Sequence, residues 1–155
     1  MGIPSYFSYI IKNYSNIIRN KKSLIENKIV MTDLYMDCNS IIYDAVYSLE
    51  KNNSTIAKNL IEPTIINNVI KKIDDYIRFI KPTSTVFITF DGVAPVAKME
   101  QQRTRRYKSA HMSKINITNK TSFFNTVSIT PGTEFMNKLS NSISEFFLNK
   151  ENKHN

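Results

Sequence analysis

The sequence has a single cysteine, Cys38, so no disulfide can close within the chain, and a reducing compartment is the natural reading. It also lacks any apolar run approaching the ~20 residues of a membrane-spanning helix. The N-terminus lacks the basic-then-apolar order of a signal peptide. It starts Met1-Gly2, but Tyr6 stands where a myristoylation signal wants Ser or Thr. No internal repeat and no second-domain boundary is visible. These absences give the expectation of one soluble, intracellular domain with no membrane partner, nuclear and cytoplasmic locations both remaining open.

Acidic residues are scarce too, 13 against 21 lysines and arginines, for a net charge of +8. That balance favours an anionic partner: nucleic acid, phosphate or an anionic membrane surface. The bland alternative is a basic protein with no polyanion partner. Apolar residues make up 41% of the 155 residues, modest but enough for one domain with a real core.

Residues 3–18 read as a helix, with Pro4 in the first turn and Phe7, Ile10, Ile11, Tyr14 and Ile18 at helical spacing. Residues 19–22 read as a loop. Residues 28–37 suggest a buried strand ending at Asp37, after which Asn39-Ser40 offers a helix cap. Ile41, Ile42, Ala45, Val46 and Leu49 form the stripe of the helix that follows. After a polar loop over 51–58, Pro63 marks a helix start, an isoleucine-rich stripe runs to Ile80, and Pro82 stops it. Residues 85–91 are the clearest strand, and strand, helices, strand is the pattern of a crossover in a parallel sheet. Residues 97–110 read as a basic helix, and 113–128 carry no assignable pattern. Residues 130–133 form a turn, with Thr133 capping a helix whose face is Phe135, Met136, Leu139, Ile143 and Phe147. Residues 149–155 read as a polar, frayed tail.

Asp37 and Asp91 each end a predicted parallel strand, and open α/β sheets place their sites beyond the carboxyl ends of their strands. Two carboxylates delivered there suit a hard divalent cation, which wants oxygen ligands and keeps several waters. Paired metals assist phosphodiester cleavage by stabilising the attacking and leaving oxygens. The simpler alternative is that each Asp starts a turn or caps a helix.

In the basic helix, Lys98, Gln102, Arg105 and Arg106 stand at i, i+4, i+7 and i+8, on one stripe about 100° wide. Arginine's planar fork suits phosphate, and lysine adds a point charge. The stripe begins soon after Asp91, and the helix start presents free amide donors to an anion. A solvated basic face is the alternative, but residues 101–133 contain no acid at all, whereas solvated helices mix their signs. Tyr43, near the start of its helix, either stacks on a base or belongs to the core, and the pattern favours the core.

Four motifs, in order, carry a resemblance: Met1-Gly-Ile-Pro-Ser-Tyr-Phe, Leu34-Tyr-Met-Asp-Cys-Asn-Ser-Ile-Ile, the block from Phe90-Asp-Gly through Lys98 to Arg106-Tyr107, and Ile129-Thr-Pro-Gly-Thr-Glu-Phe-Met. Together they resemble the opening of the Xrn-type 5′→3′ exoribonucleases over almost the whole chain. The resemblance implies an α/β, flap-endonuclease/PIN-like fold, a mainly parallel central sheet flanked by helices. Residues 1–155 would be a single partial domain, the N-terminal part of the exonuclease domain. It implies Mg²⁺-dependent (or Mn²⁺-dependent) removal of nucleotides from single-stranded RNA bearing a 5′-monophosphate. Asp37 and Asp91 match the family's first two catalytic, metal-binding acids, and Lys98, Gln102, Arg105 and Arg106 match the pocket that grips the 5′-phosphate.

The sequence departs from the family at Tyr43, where His is usual beside the terminal base, and at Val96, where Arg is common. The family's remaining catalytic acids lie beyond the last motif. The expectation is therefore an incomplete active site with little activity of its own, to be completed by a second chain or a downstream segment. The alternative function is a non-catalytic module or degenerate relative that binds RNA 5′-phosphate ends.

Overall fold

The computed structural model describes residues 3–51, 56–115 and 124–151. Its elements are α1 (Tyr6–Asn13), a 3-10 turn (Ser15–Ile17), α2 (Lys21–Glu26), β1 (Asp33–Asp37), α3 (Asn39–Lys51), α4 (Lys58–Ile80), β2 (Thr85–Thr89), α5 (Val96–Ile115), a second 3-10 turn (Thr126–Ser128) and α6 (Glu134–Glu151). β1 and β2 pair in parallel, Asp33 opposite Thr85 and Asp37 opposite Thr89. Parallel neighbours need a crossover, and α3 and α4 supply it. The result is the expected α/β arrangement, a small parallel sheet with helices packed on it.

The apolar stripes read from the sequence are in the core. Ile41, Ile42, Val46 and Leu49 of α3 meet Ile65, Val69 and Ile73 of α4, joined by Ile61 from ahead of the expected helix start, and α6 adds Phe135, Leu139 and Ile143. Met36 and Ile88 pack onto this cluster from the sheet. Burying each such side chain contributes about 1.5–3 kcal/mol, so the α3–α4–α6 layer dominates stability. Tyr35 and Phe87 point to the other face of the sheet, 70% and 53% exposed, with ring centroids 5.8 Å apart. Strand side chains alternate faces, so covering one face leaves these two rings in water.

Several boundaries differ from the sequence reading. The first helix spans only Tyr6–Asn13. The Asn13 side-chain amide donates back to the Tyr9 carbonyl at 2.8 Å, and Tyr14 leaves helical geometry at φ −131°. Pro4 lies before the helix rather than in it. The expected loop at 19–22 instead opens α2, because the Asn20 side chain accepts from the Ser23 N–H at 2.8 Å and caps it. β1 starts at Asp33, not residue 28. Lys28 turns left-handed at φ 52°, and the Ile29 N–H returns to the Leu24 carbonyl at 2.9 Å. The apolar run after Asn27 thus begins by closing α2 instead of pairing.

α4 begins five residues before Pro63, which sits inside the helix at an exposed position where water can serve the carbonyl it frees. At its far end Lys81 adopts φ 55°, donates to the Ile77 carbonyl at 2.8 Å, and Pro82 follows, as expected of a stop. Thr133 caps α6, accepting from the Met136 N–H at 3.4 Å. α6 continues to Glu151, so residues 149–151 are helical rather than frayed. Lys150 in this last turn pairs with Asp74 of α4. Residues 52–55 of the expected loop, 116–123 of the unassigned stretch and 152–155 of the tail lie outside the described residues. No helix among the described residues is long and apolar enough to cross a membrane.

Candidate functional site

The parallel pairing brings Asp37 and Asp91 to the same end of the sheet. Asp37 is the last residue of β1. Asp91 lies two residues beyond β2 rather than at its end, because β1 turns into α3 and offers the ladder no further partner. The last backbone tie runs from the Cys38 N–H to the Thr89 carbonyl, 2.9 Å, backed by the Thr89 hydroxyl donating to the Met36 carbonyl at 2.9 Å.

Past the ladder, one residue joins the two strand ends. Asn39 accepts from the Asp91 N–H through its Oδ1 at 3.1 Å. Its own N–H donates to Asp37 Oδ1 at 3.3 Å. The Asp37 carboxylate therefore also serves the start of α3, the cap role the sequence allowed, while its residue remains exposed. Asp91 is exposed as well.

Cys38 stands between these groups, fully buried. Burial, then the neighbouring Asp37 charge, pushes its thiol up to about 11. It stays neutral near pH 7 and supplies no thiolate, so the donors at this end are carboxylate oxygens. Two exposed carboxylates with water fit a hard cation such as Mg²⁺. Among the described residues, no group of three or more His, Cys, Asp or Glu side chains is arranged to hold a metal. Asp37 and Asp91 would therefore give a cation at most two carboxylates, with the rest of its ligands to come from water or other groups.

A short connector, Gly92 to Pro95, leads from Asp91 into α5. The helix runs Val96–Ile115, longer than the expected 97–110, with the Lys98 and Met99 amides donating to the Pro95 carbonyl at 2.9 and 3.0 Å. Lys98 and Gln102, one turn apart, are half-buried, while every other residue of the helix whose side chain is described is exposed. The first two members of the stripe thus occupy the sheltered face. Arg105 is exposed, and Arg106 belongs to the helix backbone with its side chain outside the described part. Among the described residues, no acid forms an ion pair with Lys98 or Arg105. Tyr43 is half-buried and packs against the core, one turn along α3 from Asn39.

Asn39 is the residue that sequence reasoning missed at this site. Its position directly after the strand-ending Asp37 and Cys38 marked it as a helix cap, and nothing in the local pattern announced a partner 52 residues away.

Comparison with known proteins gives the family. The chain matches the family described as XRN 5′-3′ exonuclease N-terminus over residues 1–155. Among curated proteins it is 36% identical over 110 residues to 5′-3′ exoribonuclease 1 of Saccharomyces cerevisiae, covering 71% of this chain and 7% of that protein. It is 31% identical over 110 residues to 5′-3′ exoribonuclease 1 of Homo sapiens, covering 71% of this chain and 6% of that protein. It is 35% identical over 82 residues to 5′-3′ exoribonuclease 2 of Arabidopsis thaliana, half of this chain and 7% of that one. The chain thus corresponds to a small fraction of the length of these relatives.

Proposed function

The chain belongs to the XRN 5′-3′ exonuclease family, and from that premise we propose that it carries the 5′-end-reading half of an exoribonuclease active site. In this reading Asp37 and Asp91 hold a divalent cation, Mg²⁺ or Mn²⁺. Lys98, Gln102, Arg105 and Arg106 grip the 5′-monophosphate of single-stranded RNA. Tyr43, partly buried, lies against the terminal base. The observation that carries the reading is the pairing of the two strand ends, which delivers both carboxylates to one end of the sheet directly before the basic helix, free of acids from residue 101 on.

Each group has a physical task. A bound cation would supply positive charge to the phosphodiester and to a nucleophilic water. The arginine and lysine side chains neutralise the terminal phosphate and fix the RNA in register, which lowers the entropic cost of reaction. A monophosphate group matches a pocket built from one lysine, one amide and guanidinium forks, whereas a hydroxyl end offers those donors nothing. The further carboxylates that a two-metal centre needs come, in this reading, from a downstream segment or a second chain.

The alternative reading is a 5′-phosphate-binding module without catalysis. The stripe serves both readings. Asp37 and Asp91, exposed together at one sheet end, favour the nuclease, because a pure binder gains nothing from two carboxylates facing a polyanion.

Binding of two matched single-stranded RNAs, one 5′-monophosphate and one 5′-hydroxyl, tests the proposal at near-physiological salt, with and without Mg²⁺. Salt must be fixed because nonspecific phosphate binding falls steeply as it rises. A clear preference for the monophosphate is expected. Equal binding of the two RNAs would refute an end-reading pocket in this chain.

A further inference from the structure

We propose that Asn39 is a positioning residue that sets the spacing of the two site carboxylates, an inference that rests on the reading of Asp37 and Asp91 as metal ligands. β2 leaves its ladder at Thr89, and residues 90–95 belong to no regular element. The backbone of Asp91 is held there by the 3.1 Å bond from its N–H to Asn39 Oδ1. Gly92 follows, with open space where a side chain would stand. Asp91 therefore sits between a fixed strand and a permissive joint.

Asn39 is suited to the clamp because its backbone is already fixed twice. It opens α3, and its N–H donates to Asp37 Oδ1 at 3.3 Å. The Cys38 N–H, one residue earlier, is tied to the Thr89 carbonyl at 2.9 Å. One residue thus touches the carboxylate of the first candidate ligand through its backbone N–H and the main chain of the second through its side chain. Outer groups that hold ligands in place commonly change metal affinity about 10–100-fold when removed. A cation held by Asp37 and Asp91 together would need that registration more than one held by either carboxylate alone.

The test is an NMR titration of the 155-residue chain with Mn²⁺, following paramagnetic broadening of the Asp37 and Asp91 amide signals. The wild-type chain, Asn39→Ala, Asn39→Asp and, as a control on the same helix, Asp44→Asn are compared. In the wild type the two signals broaden together, and the Asp91 amide exchanges more slowly with solvent than those of Gly92 and Val93. Asn39→Ala loses that protection and binds Mn²⁺ about tenfold or more weakly. Asn39→Asp keeps an acceptor oxygen in place, so it retains the protection and binds at least as tightly as wild type. Asp44→Asn changes neither readout.

Asn39→Ala that binds Mn²⁺ like wild type overturns the proposal while leaving the metal reading intact. An unprotected Asp91 amide in the wild-type chain also overturns it, independently of whether any variant folds. A wild-type chain whose Asp37 and Asp91 signals ignore Mn²⁺ overturns the metal reading and this inference together.

Discussion

Replacing Arg78 and Lys150 together by alanine tests the one buried charged group among the described residues. Asp74 continues the buried stripe of α4 and is 5% exposed. Each of its oxygens has a cation: Arg78 Nη2 at 2.6 Å, one turn along the helix, and Lys150 Nζ from the last turn of α6. The Arg78 side chain is 69% exposed, so its pair is screened, and Arg78→Ala alone should cost only about 0.2–1 kcal/mol. Lys150→Ala also unties α6 from α4 and should cost somewhat more, on the order of 1–2 kcal/mol. With both cations gone, a carboxylate is left buried and unpaired, a situation that costs about 3–5 kcal/mol. At about 2–4 °C per kcal/mol for a chain of this size, the double variant should melt roughly 6–20 °C below wild type. The decisive step is a third change: adding Asp74→Asn to the double variant removes the stranded charge, so stability should rise again. Urea and thermal unfolding followed by far-UV circular dichroism measure all five chains, wild type included. A double variant within about 1 kcal/mol of wild type, with no recovery on adding Asp74→Asn, would refute the reasoning by showing that water reaches Asp74.

Arg105→Ala should abolish the preference for a 5′-monophosphate over a 5′-hydroxyl while leaving general RNA binding mostly intact; equal loss on both RNAs would make α5 a basic face only. Asp91→Ala should leave end recognition largely unchanged, as read in the same binding assay, while removing Mn²⁺ binding at the site. Cys38 should resist a thiol-specific disulfide reagent at pH 8 in the folded chain and react fast in urea. Because folding raises its pKa from 9.0 to about 11, the folded state holds the proton longer, so its contribution is complete below about pH 9 and should decline by about 1.4 kcal/mol per pH unit up to about 11. The Glu134 carboxylate is held below its ordinary value of 4.5 by its hydrogen bond from Lys138 and that residue's charge. Its stabilising contribution is present above the ordinary carboxylate range and lost as pH falls through the lowered value. Lys138→Met should return the NMR titration midpoint of Glu134 to the ordinary value.

The helical core was legible because its signal is redundant. Ile65, Val69 and Ile73 repeat at intervals of four residues, which a helix places on one face. Boundaries were less legible because they depend on single bonds. A charged stretch concealed α2, since its start rests on one acceptor, Asn20 Oδ1. The run Ile29-Val30-Met31 has strand composition, yet the Lys28 turn commits Ile29 to closing α2. Residues 149–151 looked like tail because Lys150 is polar, and its partner Asp74 lies 76 residues earlier. Asn39 follows the same logic at the site. The chemistry of Asp37 and Asp91 could be read from strand ends, but the side chain joining them finds its partner only after β1 and β2 have paired.

That dependence bears on how the two halves of the proposed site are coupled. Among the described residues α5 presents few sheltered side chains: Val96 is 79% exposed and Tyr107 71%. A helix with so little apolar anchorage takes its position from its covalent attachment. The connector from Asp91 to Val96 is five residue steps, at most about 18 Å when fully extended, and Pro95 restricts its last step. The place of the Lys98–Gln102 turn relative to the carboxylates is therefore inherited largely from where Asp91 is held. Asn39 holds it. A loosened Asp91 would shift the phosphate stripe as well as the metal half-site, so phosphate recognition and metal binding should weaken together in Asn39→Ala, whereas Arg105→Ala should impair the first alone. Separate loss of the two in Asn39→Ala would mean that contacts along α5, rather than the connector, position the stripe.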